Sequence, residues 1–187
     1  MTPLSRRLRQ EGYALAGWER GVTLFRRSSS TLIDLAAEGE VAAPPTRLQS
    51  ALLFYDRHAG LIRGVAESRI LRRTTTALWV HQRLDLPLLD DRDFTLYVTW
   101  GTGGATRWVR FACDNAHGPA PRRGVLRLWT HEGSWQLLPI AGGARSFARY
   151  QVRLDLGGSL PRWMARSGVG RSIPDLFEAL GRLASNG

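Results

Sequence analysis

The sequence predicts an α+β domain in which a curved antiparallel sheet wraps around one long C-terminal α-helix. Three observations carry this expectation. Residues 61–156 read as a succession of short strands punctuated by turn residues at Arg72-Arg73-Thr74, 101–104, 114–123, Glu132-Gly133 and Gly142-Gly143. Two of these strands alternate cleanly: Phe94, Leu96, Val98 and Trp100 against Asp93, Thr95, Tyr97 and Thr99, and Ala148, Tyr150, Val152 and Leu154 against Arg149, Gln151, Arg153 and Asp155. A sheet with one wet face must bury the other, and the one long amphipathic segment is C-terminal, with Ile173, Leu176, Phe177, Leu180 and Leu183 on a single face.

The remaining elements follow in chain order. Residues 22–26 and 32–41 have strand composition, with Ser28-Ser29-Ser30 as the turn between them. Pro44-Pro45 opens a short amphipathic helix in which Leu48, Ala51, Leu52 and Tyr55 keep the i, i+3, i+4, i+7 spacing, and Gly60 closes it. Gly101-Thr102-Gly103-Gly104 joins two strands as a hairpin turn. Near the C-terminus Ser172 caps a helix, with Asp175 three residues on; Pro174 sits in its first turn or kinks a longer helix that starts near Pro161.

Composition narrows the function classes. A chain of 187 residues with 43% hydrophobic content fits one domain, 1–187, with a sizeable core. No apolar run approaches the roughly eighteen residues of a membrane span, and Arg6, Arg7 and Arg9 are followed by no apolar stretch of the kind a secretion signal needs. The single Cys113 has no partner for an internal disulfide or a thiolate metal site, so a reducing cytoplasm is the simplest assignment, and a monomer is expected. The net charge of +10 comes from arginine alone, since the sequence has no lysine. Guanidinium groups favour anionic surfaces. They are dispersed along strands and loops, however, and mark no recognition helix, which disfavours specific nucleic-acid binding.

Catalytic and cofactor motifs are missing. His58, His81, His117 and His131 show no metal-ligand spacing, so no metal site is expected. The glycines at 101–104 lack a following Gly-Lys-Ser/Thr, those near 168–170 follow no strand, and no Gly-x-Ser-x-Gly elbow occurs. Asp90, Asp91 and Asp93 read as turn and strand carboxylates that bond backbone or arginine. No cofactor is expected.

Four short motifs recur in order: Trp18-Glu19-Arg20-Gly21-Val22, Pro87-Leu88-Leu89-Asp90-Asp91-Arg92-Asp93-Phe94, Gly124-Val125-Leu126-Arg127, and Asp155-Leu156-Gly157-Gly158-Ser159-Leu160-Pro161-Arg162-Trp163. In this order the chain resembles the START (StAR-related lipid-transfer) domain family, and the lysine-free composition points to a bacterial member. The resemblance implies a helix-grip fold with an internal hydrophobic cavity that binds one lipid, a sterol, phospholipid or similar molecule, for transport or presentation without catalysis. It also implies a door made by 114–123 and 161–164. Sterol-binding members carry a cavity arginine and an acidic partner where this sequence has Val98 and Trp79, so the resemblance implies a more apolar wall here.

The expected lining combines strand parity with that resemblance. It comprises Trp79, His81, Arg92, Phe94, Leu96, Val98, Trp100, Leu126, Leu128, Tyr150, Val152 and Leu154 from the sheet region, and Trp163, Met164, Phe177 and Leu180 from the helix. Seven tryptophans in so short a chain suit an aromatic wall. Arg122, Arg123, Arg162 and Arg166 flank the door and are the expected contacts with an anionic membrane surface, beside Trp163. An alternative on the same fold is a polyketide aromatase/cyclase, with Tyr150, His81 and Arg92 as acid/base groups.

Overall fold

The computed structural model describes residues 3–29, 32–86, 89–158 and 162–185, with side chains described except at 3–6 and 162–171. Ten strands form one open sheet: β1 (Ala14–Glu19), β2 (Val22–Arg26), β3 (Ile33–Val41), β4 (Val65–Arg73), β5 (Ala77–Leu84), β6 (Asp91–Gly103), β7 (Thr106–Cys113), β8 (Val125–Arg127), β9 (His131–Ile140) and β10 (Arg145–Leu154). The order is β1-β2-β3-β10-β9-β7-β6-β5-β4. Three helices, α1 (Pro3–Gln10), α2 (Pro45–Leu53) and α3 (Arg162–Ser185), complete the domain.

Cross-strand register explains why one face is apolar. Residues directly opposite share a face, so Leu24, Ala37, Tyr150, Trp135, Val109 and Trp100 form one row across five strand boundaries. Leu35, Val152, Gly133, Phe111, Val98 and Leu78 form the next. This concave face packs on Leu48, Ala51 and Leu52 of α2 and Ile173, Phe177, Leu180 and Ala184 of α3, making one core. Gln49 fixes α2 to the tip of the β6–β7 hairpin by donating to the carbonyls of Gly101 (3.1 Å) and Trp108 (3.0 Å). Arg107 in turn donates to its Oε1 at 2.8 Å.

The structure departs from the sequence expectation in three places and decides between two readings in a fourth. α1 and β1 were not anticipated; Leu8 of α1, with Tyr13, Phe25 and Ala36, forms a second apolar cluster. Phe25, Ala36 and Gln151 lie opposite one another on the convex face, so α1 covers part of the face expected to be wet. On that same face Arg149 is 2% exposed and pairs with Glu38 at 3.0 Å. The expected all-antiparallel meander is broken by β8, which runs parallel to β6 over Asp91, Arg92 and Asp93. The cause is length: β7 pairs with β6 only from Leu96 onward, leaving the start of β6 free for β8. Finally, Pro174 lies inside a helix continuous from Arg162 to Ser185, the longer of the two readings.

Gly133 occupies a concave position that no larger residue fits. A Cβ there would lie 2.2 Å from the Gln151 carbonyl oxygen and 2.5 Å from Cζ of Phe111, and the first of these is backbone. Gly133→Ala should therefore destabilise the fold by about 2 kcal/mol or more, through forced displacement of β10 or the Phe111 ring. A urea-unfolding midpoint indistinguishable from the parent would contradict this packing.

Candidate functional site

A cavity of about 140 Å³ lies between the concave face and the helices. The sheet contributes Val65 from β4, Gln82 and Leu84 from β5, Phe94 and Leu96 from β6, Phe111 from β7, His131 and Trp135 from β9, and Tyr150 from β10. Leu52 of α2 and Leu176 and Leu180 of α3 form the opposite wall, and Tyr55, His58 and Ile62 close one side. No Asp, Glu or Arg is among these residues. A larger groove of about 490 Å³ opens on the convex face, but Asp34, Arg110, Glu132 and Arg153 line it, so it is charged where the smaller cavity is not.

The polar atoms of the cavity are unusual in what they lack. Nδ1 of His131 is buried with no hydrogen-bond partner among the described residues. The ring is held edge-on by Phe94 at 4.5 Å and by Phe111 at 5.4 Å. Burial alone pushes its pKa down to about 4, so it is neutral at pH 7. Tyr55 and Tyr150 are 7% and 8% exposed, and their hydroxyls make no hydrogen bond to a described residue. Desolvation raises both pKa values, and the proximity of Tyr55 raises that of Tyr150 further. Tyr150 stacks on Trp135 at 4.5 Å. His58 differs: its Nε2 lies 3.3 Å from the Ala51 carbonyl, its ring meets Tyr55 at 4.6 Å, and burial lowers its pKa to about 4.

Of the residues expected to line a cavity, Phe94, Leu96, Tyr150 and Leu180 meet there. Val98, Leu128, Val152, Leu154 and Phe177 are buried in the surrounding core, with Trp100 packed against it. Leu126 is half-buried beside Gly157 and outside the lining. The side chains of Trp163 and Met164 lie outside the described residues, as do those of Arg162 and Arg166.

Trp79 and His81 require correction. β5 turns Leu78, Val80 and Gln82 inward, so its odd-numbered neighbours project from the convex face, opposite Tyr97 and Thr95. There Trp79 donates to Asp114 at 2.9 Å and touches the rings of Tyr97 (4.9 Å) and His117 (5.6 Å). His81 lies 3.4 Å from the Thr95 hydroxyl and 3.8 Å from Asp93, whose carboxylate is held by Arg127 at 2.7 and 2.9 Å. Arg92 has the expected concave parity and is 4% exposed. Its guanidinium, however, bonds the carbonyls of Leu156 and Asp90 rather than a carboxylate or the cavity.

The segment 114–123, expected as a door, is fastened to the convex face. Asn115 accepts from the Thr95 amide (2.8 Å) and donates to the Leu128 carbonyl (2.7 Å), and Arg127 donates to the Pro119 carbonyl (3.0 Å). Gly118 sits so close to Thr95 that an added Cβ would fall 2.0 Å from its hydroxyl oxygen. Arg122 and Arg123 are exposed, and Arg122 lies 3.7 Å from Glu67. Trp129, in the same region, is 75% exposed.

His131, Tyr55, Phe111 and Trp135 escaped the sequence reading as lining residues. A signal for two of them existed: His131, Gly133, Trp135 and Leu137 share one strand parity, which places the histidine on the face of a tryptophan and a leucine.

No protein-family model matches the chain. An uncharacterized protein of Pseudomonas aeruginosa is 30% identical over 110 residues, 58% of this chain; the chain spans about half (54%) of that relative's length. Among solved structures, a StAR-related lipid transfer protein from Xanthomonas axonopodis superposes with a TM-score of 0.82 at 24% identity, covering 93% of this chain and 99% of that one. Human STARD10 superposes at 0.81 and 20% identity, covering 97% and 78%. An aromatase/cyclase from Streptomyces superposes at 0.59 and 15% identity, covering 83% and 94%. The chain has the helix-grip fold of the START domains, as its sequence motifs suggested.

His58 and His131 make stability pH-dependent in a defined direction. In the unfolded chain both titrate near 6.5, whereas in the folded protein they stay neutral to about 4. Between those values the unfolded state binds more protons, so stability present above pH 6.5 is lost as pH falls toward 4, by up to about 3 kcal/mol per histidine. Urea unfolding at pH 7 and pH 5 should show a steeper loss for the parent than for His58→Phe/His131→Phe. Equal slopes would mean that neither ring is held neutral.

Proposed function

We propose that this chain binds one hydrophobic molecule, a lipid or a ligand of comparable character, between sheet and C-terminal helix, and carries or presents it without chemical change. The observation that supports the reading most is a cavity with no charged residue in its described lining, in which Nδ1 of His131 is buried without a hydrogen-bond partner. Each buried polar group left without a partner costs about 1–3 kcal/mol, a cost that a bound ligand's polar atom removes. The lipid transfer proteins that share the fold support the same reading.

Size constrains the mode of binding. At about 140 Å³ the cavity matches an engineered hole of about 150 Å³ that accepts a single benzene. The cavity therefore takes one end of a lipid, and the remainder enters as α3 shifts from the sheet. Pro174 within α3 donates no backbone hydrogen bond and loosens the helix where such a shift would start. The cyclase alternative needs groups poised near neutral pH. His131 is neutral down to about 4 and both tyrosines are pushed up, so the cavity is set for binding more than for proton transfer.

Two expectations follow. Organic extraction of the purified protein should release a hydrophobic compound identifiable by mass spectrometry. Leu176→Trp, which fills the cavity from α3 without adding charge, should reduce its occupancy at least about tenfold in a folded protein. Undiminished occupancy would place the ligand elsewhere.

Delivery to a membrane is part of the proposal, with Arg122 and Arg123 touching anionic headgroups, Trp129 at the interface, and Arg162 and Arg166 at the start of α3. Each arginine near an anionic surface adds about 1 kcal/mol. Arg122→Ser/Arg123→Ser should weaken binding to phosphatidylserine vesicles about tenfold or more, whereas Arg47→Ser/Arg73→Ser, which removes the same charge from other exposed positions, should not. Equal losses would make the attraction a matter of net charge alone.

A further inference from the structure

The buried, unpartnered Nδ1 of His131, together with the Tyr55 and Tyr150 hydroxyls that bond no described residue, defines what a ligand must offer. A neutral imidazole has one donor and one acceptor nitrogen, and the tautomer decides which role Nδ1 of His131 takes. Tyr55 and Tyr150 each bring an O–H donor that needs an acceptor. A ligand carbonyl accepts from the tyrosines but has nothing to give an accepting Nδ1. A hydroxyl donates and accepts at once, and so satisfies either tautomer together with a tyrosine. Charge is excluded on independent grounds. Among the described residues the lining has no arginine to pair with a carboxylate or phosphate and no acid to pair with an amine. Both its histidines are neutral at pH 7, so a buried ion would stay uncompensated.

The walls specify shape. Phe94, Phe111, Trp135 and Tyr150 present rings around His131, and aromatic pairs prefer edge-to-face or offset contact over random packing. A volume of about 140 Å³ admits one ring and little more.

We propose that the cavity selects an uncharged ring bearing a hydroxyl group, a phenol or the hydroxylated ring end of a larger lipid, with the hydroxyl bonded to His131 Nδ1 and to the Tyr55 or Tyr150 hydroxyl. The proposal deepens the hydrophobic-ligand reading above and rests on it. The hydroxyl is what distinguishes the ligand from a hydrocarbon of the same shape, because only the hydroxyl relieves the groups that the fold leaves unpaired.

The test uses the full chain and three probes of one-ring size: 4-methylphenol, toluene and benzoate, with affinity read by calorimetry and by the fluorescence of Trp135. 4-Methylphenol should bind at least about tenfold tighter than toluene, and benzoate should not bind at concentrations that saturate 4-methylphenol. His131→Phe and Tyr150→Phe, two independent apolar replacements, should bring the two neutral probes within about threefold of each other while toluene still binds. Toluene binding as tightly as 4-methylphenol to the unmodified chain would overturn the hydroxyl selection and leave the hydrophobic-ligand reading standing. Benzoate binding as tightly as the phenol would overturn the exclusion of charge. Failure of all three probes overturns the proposal, and the wider reading falls with it only if organic extracts of the protein also contain no ligand.

Discussion

Everything in this molecule depends on burying one concave sheet face. Rows such as Leu24, Ala37, Tyr150, Trp135, Val109 and Trp100 run across the strands, and each large apolar side chain taken out of water contributes about 1.5–3 kcal/mol. A single sheet cannot cover its own face. α2 and α3 supply the cover, and the remaining features serve their placement: Gln49 anchors α2, Gly133 makes room for the Phe111 ring, and the paired convex charges let the sheet curve without exposing that side's polar groups.

The two faces handle polar atoms in opposite ways. On the convex side Glu38 meets Arg149, Asp93 meets Arg127, Asp34 meets Arg27 and Asn115 satisfies both the Thr95 amide and the Leu128 carbonyl. Buried charge is tolerated only when so matched. On the concave side no charged residue is among the described lining of the cavity, Nδ1 of His131 is buried without a hydrogen-bond partner, and the Tyr55 and Tyr150 hydroxyls bond no described residue. The contrast separates a face whose polar groups are matched within the chain from one that keeps a buried polar atom open.

Much of the fold was legible in the sequence because its signals are local. The two alternating strands and the C-terminal amphipathic stripe were enough for the sheet and its helix, and the ordered motifs named the fold. What escaped was set by long-range geometry. Arg149 looks solvated in a strand pattern, and only the assembled convex face, where it is buried against Glu38, shows otherwise. Trp79 and His81 look like cavity residues by type, yet β5 takes its register from β6, and that register sends both outward. β8 is too short for periodicity to reveal and exists because β6 outruns β7. Tyr55 showed its helical spacing but not that its hydroxyl would lack a partner, a property of the assembled walls.

α3 is attached in a way that matters for ligand entry. Among the described residues, the side chains at 173–185 reach other elements by apolar contact and by exposed ion pairs: Arg20 to Asp175 (2.6 Å) and Glu178 (3.2 Å), and Arg63 to Asp175 (3.6 Å). Exposed pairs of this kind are worth at most about 1 kcal/mol and weaken with salt, and apolar contacts have no preferred direction. Over that stretch the helix can slide or lift without breaking a buried hydrogen bond. On the proposed mode of ligand entry, opening would be graded, with a free energy that rises with the area of sheet uncovered, and the width of the entrance would follow the size of the guest.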